Sequence, residues 1–157
     1  YIAKGINSFL GIKRRFEYHI NTKDQIFIED YAHHPKEIDV LITSLRLMYD
    51  LKKITMIFQP HLFSRTKDFL TAFALSLSKV DTLILLDIYP ARELPIKGFG
   101  VQKLFDLINL EDKVLISNKK LVPLVSQLKP KLLVSVGAGD VTTFSEKLKD
   151  VLWWLKD

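Results

Sequence analysis

Four short apolar runs recur along this chain, each followed by a polar loop and then by residues at helical spacing, and this alternation constrains the fold more than any other feature. The runs are Ile54 to Phe58, Thr82 to Leu86 between two aspartates, Lys113 to Ser117, and Lys131 to Val136. Each is apolar almost throughout, as expected of strands covered on both faces. Between them, Ile38, Leu41, Ile42 and Leu45 place a helix at about Pro35 to Tyr49, with Pro35 where a first-turn proline is tolerated. Phe69, Phe73, Ala74 and Leu77 form the next stripe, after a loop from Gln59 to Ser64. Further helices are expected near Val101 to Ile108, after the Pro- and Gly-containing loop Tyr89 to Gly100, and near Lys120 to Leu128. An amphipathic segment runs from Val141 to Leu155. Alternating buried strands and helices predict a Rossmann-like α/β sandwich, a mainly parallel sheet flanked by helices on both faces. Upstream, two β-prone runs, Arg15 to Ile20 and Gln25 to Glu29, are separated by the polar cluster Asn21 to Asp24. They predict an N-terminal β-hairpin that adds one antiparallel strand.

A chain of 157 residues, 48% apolar, fits one domain spanning residues 1–157 with a core large enough to need no staples. It contains no cysteine, so thiolate zinc sites and disulfides are excluded, which suits a cytoplasmic protein. Its apolar runs fall far short of the roughly 20 residues needed to span a bilayer, so no membrane partner is expected. The net charge of +5 is spread over Lys13-Arg14-Arg15, Lys52-Lys53, Lys119-Lys120, Lys129 and Lys131, with no stripe suited to a nucleic acid. The chain opens at Tyr1 and runs at once into Phe9 to Phe16, which reads as a connection from something upstream. A fragment of a larger protein is expected.

In parallel sheets, ligands gather outside the carboxyl ends of the strands. That rule brings Asp30, His33 and His34 to one rim with Gln59, His61, Ser64, Arg65 and Thr66, with Asp87, Tyr89, Arg92 and Glu93, and with Gly137, Gly139 and Asp140. Three of the four histidines fall there. Taken singly, Asp30 could be no more than a helix N-cap near Pro35. Asp30, His33, His34 and His61 could instead be metal donors, although their spacing matches no common signature. Gly137-Ala138-Gly139-Asp140 resembles the start of a dinucleotide fingerprint, but its sixth residue is Thr142 and it follows the last strand. A tight turn into a helix, with Asp140 near its N-terminus, is the better reading. No P-loop and no G-x-S-x-G elbow occurs.

Five ordered stretches go further: Lys13 to Phe16, Glu29 to Pro35, Phe58 to Thr66, Asp87 to Glu93 and Gly137 to Asp140. Together they resemble the C-terminal domain of the UDP-N-acetylmuramate:L-alanine ligases of the Mur ligase family, over nearly the whole chain. The resemblance implies a three-domain ligase of peptidoglycan synthesis that uses ATP and Mg²⁺ to activate the carboxylate of UDP-N-acetylmuramic acid. The amine of L-alanine then forms the amide. It also implies that the N-terminal domain holds the UDP-sugar and the central domain carries the P-loop and most Mg²⁺ ligands, leaving this domain inactive alone, with no metal site of its own.

Carried over by position, Arg15 and Asp30 would contact ATP, at the phosphates and the ribose respectively. His34, His61 and Arg65 would line the alanine pocket, with Arg65 facing the carboxylate. Tyr31, His33, Arg92, Glu93 and Asp140 would stand behind them. This chain has Leu62 where the family often has Arg. Three alternatives remain: a murein peptide ligase domain, a stand-alone nucleotide-binding module and a metal hydrolase.

Overall fold

The computed structural model describes residues 11–50 and 52–153. Within them a six-stranded sheet runs in the order β1-β2-β6-β3-β4-β5. Strands β1 (Glu17–Asn21) and β2 (Ile26–Asp30) form the expected antiparallel hairpin. Strands β3 (Ile54–Phe58), β4 (Thr82–Leu86), β5 (Lys113–Ile116) and β6 (Leu132–Val136) are parallel to β2 and to one another. β6 is inserted between β2 and β3, so the last strand occupies the middle of the sheet.

Period-two alternation sends neighbouring side chains to opposite faces. Met56, Phe58, Leu83, Leu85, Leu132 and Val134 join one core, and Ile57, Ile84, Leu86 and Leu133 join the other. The first core is covered by α1 (Pro35–Met48), α3 (Leu70–Leu77) and α4 (Val101–Leu107), which supply Ile38, Leu45, Phe73, Leu77 and Leu104. The second is covered by α5 (Leu121–Leu128) and α6 (Ser145–Trp153), through Leu121, Val125, Leu148 and Leu152. Burial on both faces accounts for the nearly unbroken apolar character of β3 and β6.

Helix α1 starts at Pro35, and its cap is His34, not Asp30. His34 Nδ1 accepts the Lys36 amide, while the Glu37 carboxylate accepts the His33 and His34 amides, a reciprocal box that satisfies first-turn donors. Asp30 is free of capping because its two oxygens are taken by the amides of Phe16 and Ala32, each at 2.8 Å. The single helix expected after the Gln59–Ser64 loop is in fact two. The first, α2 (Phe63–Asp68), already includes Ser64, because Leu62 turns the chain at φ 74° and its carbonyl accepts both the amide and the hydroxyl of Thr66. The break before α3 falls at Phe69, which leaves helical geometry and sets its ring against His34. Two other expected helices begin with a 3₁₀ turn, Asn118–Lys120 ahead of α5 and Asp140–Phe144 ahead of α6. Residues Tyr1 to Leu10 and the end of the amphipathic segment, including Leu155, lie outside the described residues.

Candidate active site

The carboxyl ends of β2, β6, β3 and β4 bring the sequence-selected residues to one rim, in two distinct groups. On the β2/β6 side, the chain before β1 folds back over the sheet. Arg14 and Phe16 both take positive φ there, 62° and 47°. The Asp30 carboxylate receives the Phe16 amide, and the Arg14 carbonyl receives the Tyr31 amide at 2.7 Å. These bonds hold a strained turn and present Arg15 beside the start of α1. Arg15 is exposed, and its guanidinium lies 5.4 Å from the Tyr31 ring centroid. An open cleft of ≈ 400 Å³ lies here, walled by Arg15, Phe16, Asp30, Lys36, Glu37 and Val40. It combines two cations, two carboxylates and an apolar wall, the mixture expected of a small-molecule site. Partial burial raises the Glu37 carboxyl, but the His33 and His34 amides and, least, the Arg15 charge outweigh it and hold it below its ordinary range.

Neighbouring Arg14, which the sequence did not single out, is committed to the fold. Its guanidinium lies over Tyr31, approaches buried Glu29 at 3.4 Å and donates to the carbonyls of Gly137 and Gly139. Beneath the same loop, buried Gln59 donates to Asp140 at 2.6 Å and accepts the Val141 amide at 3.0 Å. A Cβ at Gly139 would fall on Gln59 Oε1 and 2.7 Å from Tyr89, and Gly137 has φ 150°. The glycines therefore serve close packing of the loop, whose carbonyls face Arg14. Asp140 opens its 3₁₀ turn as the tight-turn reading expects, also facing Asn118 Nδ2 at 3.5 Å.

The β3/β4 side is built from two loops. Leu62 donates its amide to the Tyr89 carbonyl and Tyr89 donates its own to Pro60, forming a short parallel bridge between His61 and Tyr89. Their rings stack at 5.6 Å. Arg65, one turn into α2, donates from Nη1 to His61 Nδ1 at 3.3 Å. Since arginine only donates, that nitrogen is the unprotonated one and Nε2 carries the hydrogen. Burial, then the Arg65 and His33 charges, push the His61 pKa below its ordinary value, with Glu93 opposing them. These influences favour the neutral imidazole. The histidine ring that meets His61 is His33, at 6.4 Å, whereas His34 caps α1 and packs edge-on against Phe69 at 4.6 Å. Glu93 bonds the amide and hydroxyl of Ser64, and these bonds hold its carboxyl low. Arg92 is exposed on the same loop.

The four proposed metal donors do not converge. Asp30 is tied to two amides, His34 to the α1 cap, and His33 Nδ1 to the Tyr31 carbonyl at 2.9 Å. Among the described residues no group of three or more His, Asp or Glu side chains could hold a metal ion. No helix among them is long and apolar enough to cross a membrane.

Residues 14–142 match the family described as "Mur ligase, glutamate ligase domain". The chain belongs to the Mur ligase family. Over 151 residues, 96% of this Mur ligase domain, it is 45% identical to the UDP-N-acetylmuramate--L-alanine ligase of Flavobacterium psychrophilum, of which it covers 34%. Among solved structures it is similar to the UDP-N-acetylmuramate-alanine ligase of Thermotoga maritima (TM-score 0.73, 22% identity, 98% of this chain and 33% of that one). It is also similar to a murein peptide ligase from Psychrobacter arcticus (TM-score 0.71, 17% identity, 95% and 32%). The chain thus spans about a third of the length of each of these three relatives.

Proposed function

We propose that this Mur ligase domain serves a longer, ATP-dependent ligase that joins L-alanine to UDP-N-acetylmuramic acid, and that its rim carries both the nucleotide contacts and the amino-acid pocket. The observation that carries the proposal is the contact of Arg65 Nη1 with His61 Nδ1 at 3.3 Å, beside a ring whose burial favours the uncharged form. An amino acid entering as a nucleophile needs a cation for its carboxylate and no second positive charge beside its nitrogen. Arg65 answers the first need. His61, whose neutral form is favoured by burial and by Arg65 itself, answers the second. His33 and His34 stand at the mouth of the same loop region, one facing His61 and the other fixing the end of α1.

On the other side, Arg15 is placed to meet nucleotide phosphates, where a permanent guanidinium can follow charge that moves during phosphoryl transfer. Asp30 already accepts two amides, but a carboxylate has about four lone-pair sites and keeps capacity for ribose hydroxyls. Tyr31 lies beneath Arg14 and Arg15 and supports both. Magnesium, which neutralises phosphate charge in such reactions, would be held mainly by other parts of the longer protein, as would the sugar nucleotide.

Murein peptide ligase is the second reading, since its fold is nearly as similar. The 45% identity to an alanine ligase favours the first. The test is ATP hydrolysis by the full-length protein with UDP-N-acetylmuramic acid and either L-alanine or a murein tripeptide. Turnover with alanine supports the proposal, turnover with the tripeptide alone supports the second reading, and turnover with neither sinks both.

A further inference from the structure

Leu62 is held at φ 74° and ψ 134° between His61 and α2, a conformation that a branched side chain adopts only when its surroundings impose it. On one side the turn is tied by the Leu62–Tyr89 and Tyr89–Pro60 backbone bonds and the His61–Tyr89 stack. On the other, Glu93 grips Ser64 twice, Oε2 taking the amide at 3.0 Å and Oε1 the hydroxyl. Helix α2 has no side-chain cap of its own at Leu62, so Glu93 supplies the acceptor its first turn lacks, from 29 residues away in sequence. An anion is favoured at that end.

We propose that Glu93 is a positioning residue for the amino-acid pocket: it locks the Asp87–Glu93 loop to the first turn of α2 and so fixes the His61–Arg65 pair. The inference rests on the proposed ligase reading for its substrate, though not for its geometry. His61 meets the Arg65 cation and the His33 ring, with Glu93 as the anionic neighbour and Tyr89 stacked on its face. Glu93 therefore acts on the pocket twice, by fixing α2 and by offsetting the positive field around the imidazole.

The test uses the full-length protein with Glu93→Ala, Glu93→Gln and Ser64→Ala. For Glu93→Ala, the KM for L-alanine should rise roughly tenfold, the range expected for a charge-assisted hydrogen bond, with the KM for ATP unchanged. Glu93→Gln, which keeps one carbonyl acceptor, should recover part of that loss. Adding Ser64→Ala to Glu93→Ala should cost nothing more, since the hydroxyl it removes has already lost its Glu93 partner. An unchanged alanine KM, or equal rises for all substrates, overturns the proposal. A second readout is independent of the reaction: the His61 imidazole, titrated by NMR, should lose its protonated form at lower pH in Glu93→Ala than in the wild-type protein. If wild type has no ligase activity, this titration still decides, and an unmoved His61 refutes the role of Glu93.

Discussion

The two halves of the rim use their polar groups differently. On the β2/β6 side nearly every group is spent on the fold: Asp30 on two amides, Arg14 on two carbonyls, Gln59 on Asp140 and Val141. On the β3/β4 side the His61–Arg65 contact is long, at 3.3 Å, and Arg65 keeps most of its donors for a partner. One half is mostly scaffold and presents Arg15 beside the open cleft, and the other leaves most donors of Arg65 uncommitted. Substitutions in the first half should therefore unfold, and those in the second should disable.

The largest effect is expected at Glu29, which anchors the scaffold from below. It is 3% exposed and bonded to His19 and Ser145, with Arg14 at 3.4 Å. Glu29→Gln should lower unfolding free energy by about 3 kcal/mol, because it leaves Arg14 and its neighbours without the buried anion. Chemical denaturation at pH 7 measures this. Burial raises the Glu29 pKa, but the bonds from His19 and Ser145 and the His19 and Arg14 charges outweigh it and leave the value lowered. The sign follows: its contribution is complete above the unfolded value of 4.5 and is lost as pH falls through the lower folded value. Wild type should lose this component in acid, and Glu29→Gln should show a flatter acid limb. If both acid limbs match, Glu29 is not the anchor.

Arg65→Ala should give the opposite pattern. Catalytic efficiency with L-alanine should fall about a hundredfold, the equivalent of about 2.7 kcal/mol, while the unfolding midpoint moves little. A large loss of stability would erase the contrast between the two halves. The smallest effect is expected where the halves meet, at the α1 cap. Glu37→Ala removes the acceptor for the His33 and His34 amides and should cost about 1 kcal/mol in thermal or chemical unfolding. A modest rise in the ATP KM should accompany it, since Glu37 also walls the Arg15 cleft.

The same contrast governs what could be read from sequence. Strands β3, β4 and β6 were legible because burial on both faces leaves a continuous apolar run, the hairpin because a polar turn cluster separates two β-prone runs, and the strand-end rule brought the candidate residues to one rim. Interactions across long sequence separations were not. Nothing adjacent to Arg14 signals its bonds to Gly137 and Gly139, more than 120 residues away. Asp30 looked like a cap because caps are local, yet its partner Phe16 precedes it by 14 residues. Glu37 did carry a local signal, an acidic residue three positions after His34, the spacing of a capping box. The division between α2 and α3 was hidden because Phe69, at the break itself, keeps helical spacing with Phe73 and Leu77.

The insertion of β6 between β2 and β3 bears on how the domain is made. Until residues 132–136 leave the ribosome, β2 and β3 have no common partner, and each exposes one unpaired edge. The hairpin with α1 and the β3-β4-β5 unit can form early, but the rim between them cannot close. Long-range pairing of this kind is slow and leaves sticky intermediates. Expression yield should depend on chaperone supply more than stability of the finished domain would suggest, and loss of β6 would split the sheet in two.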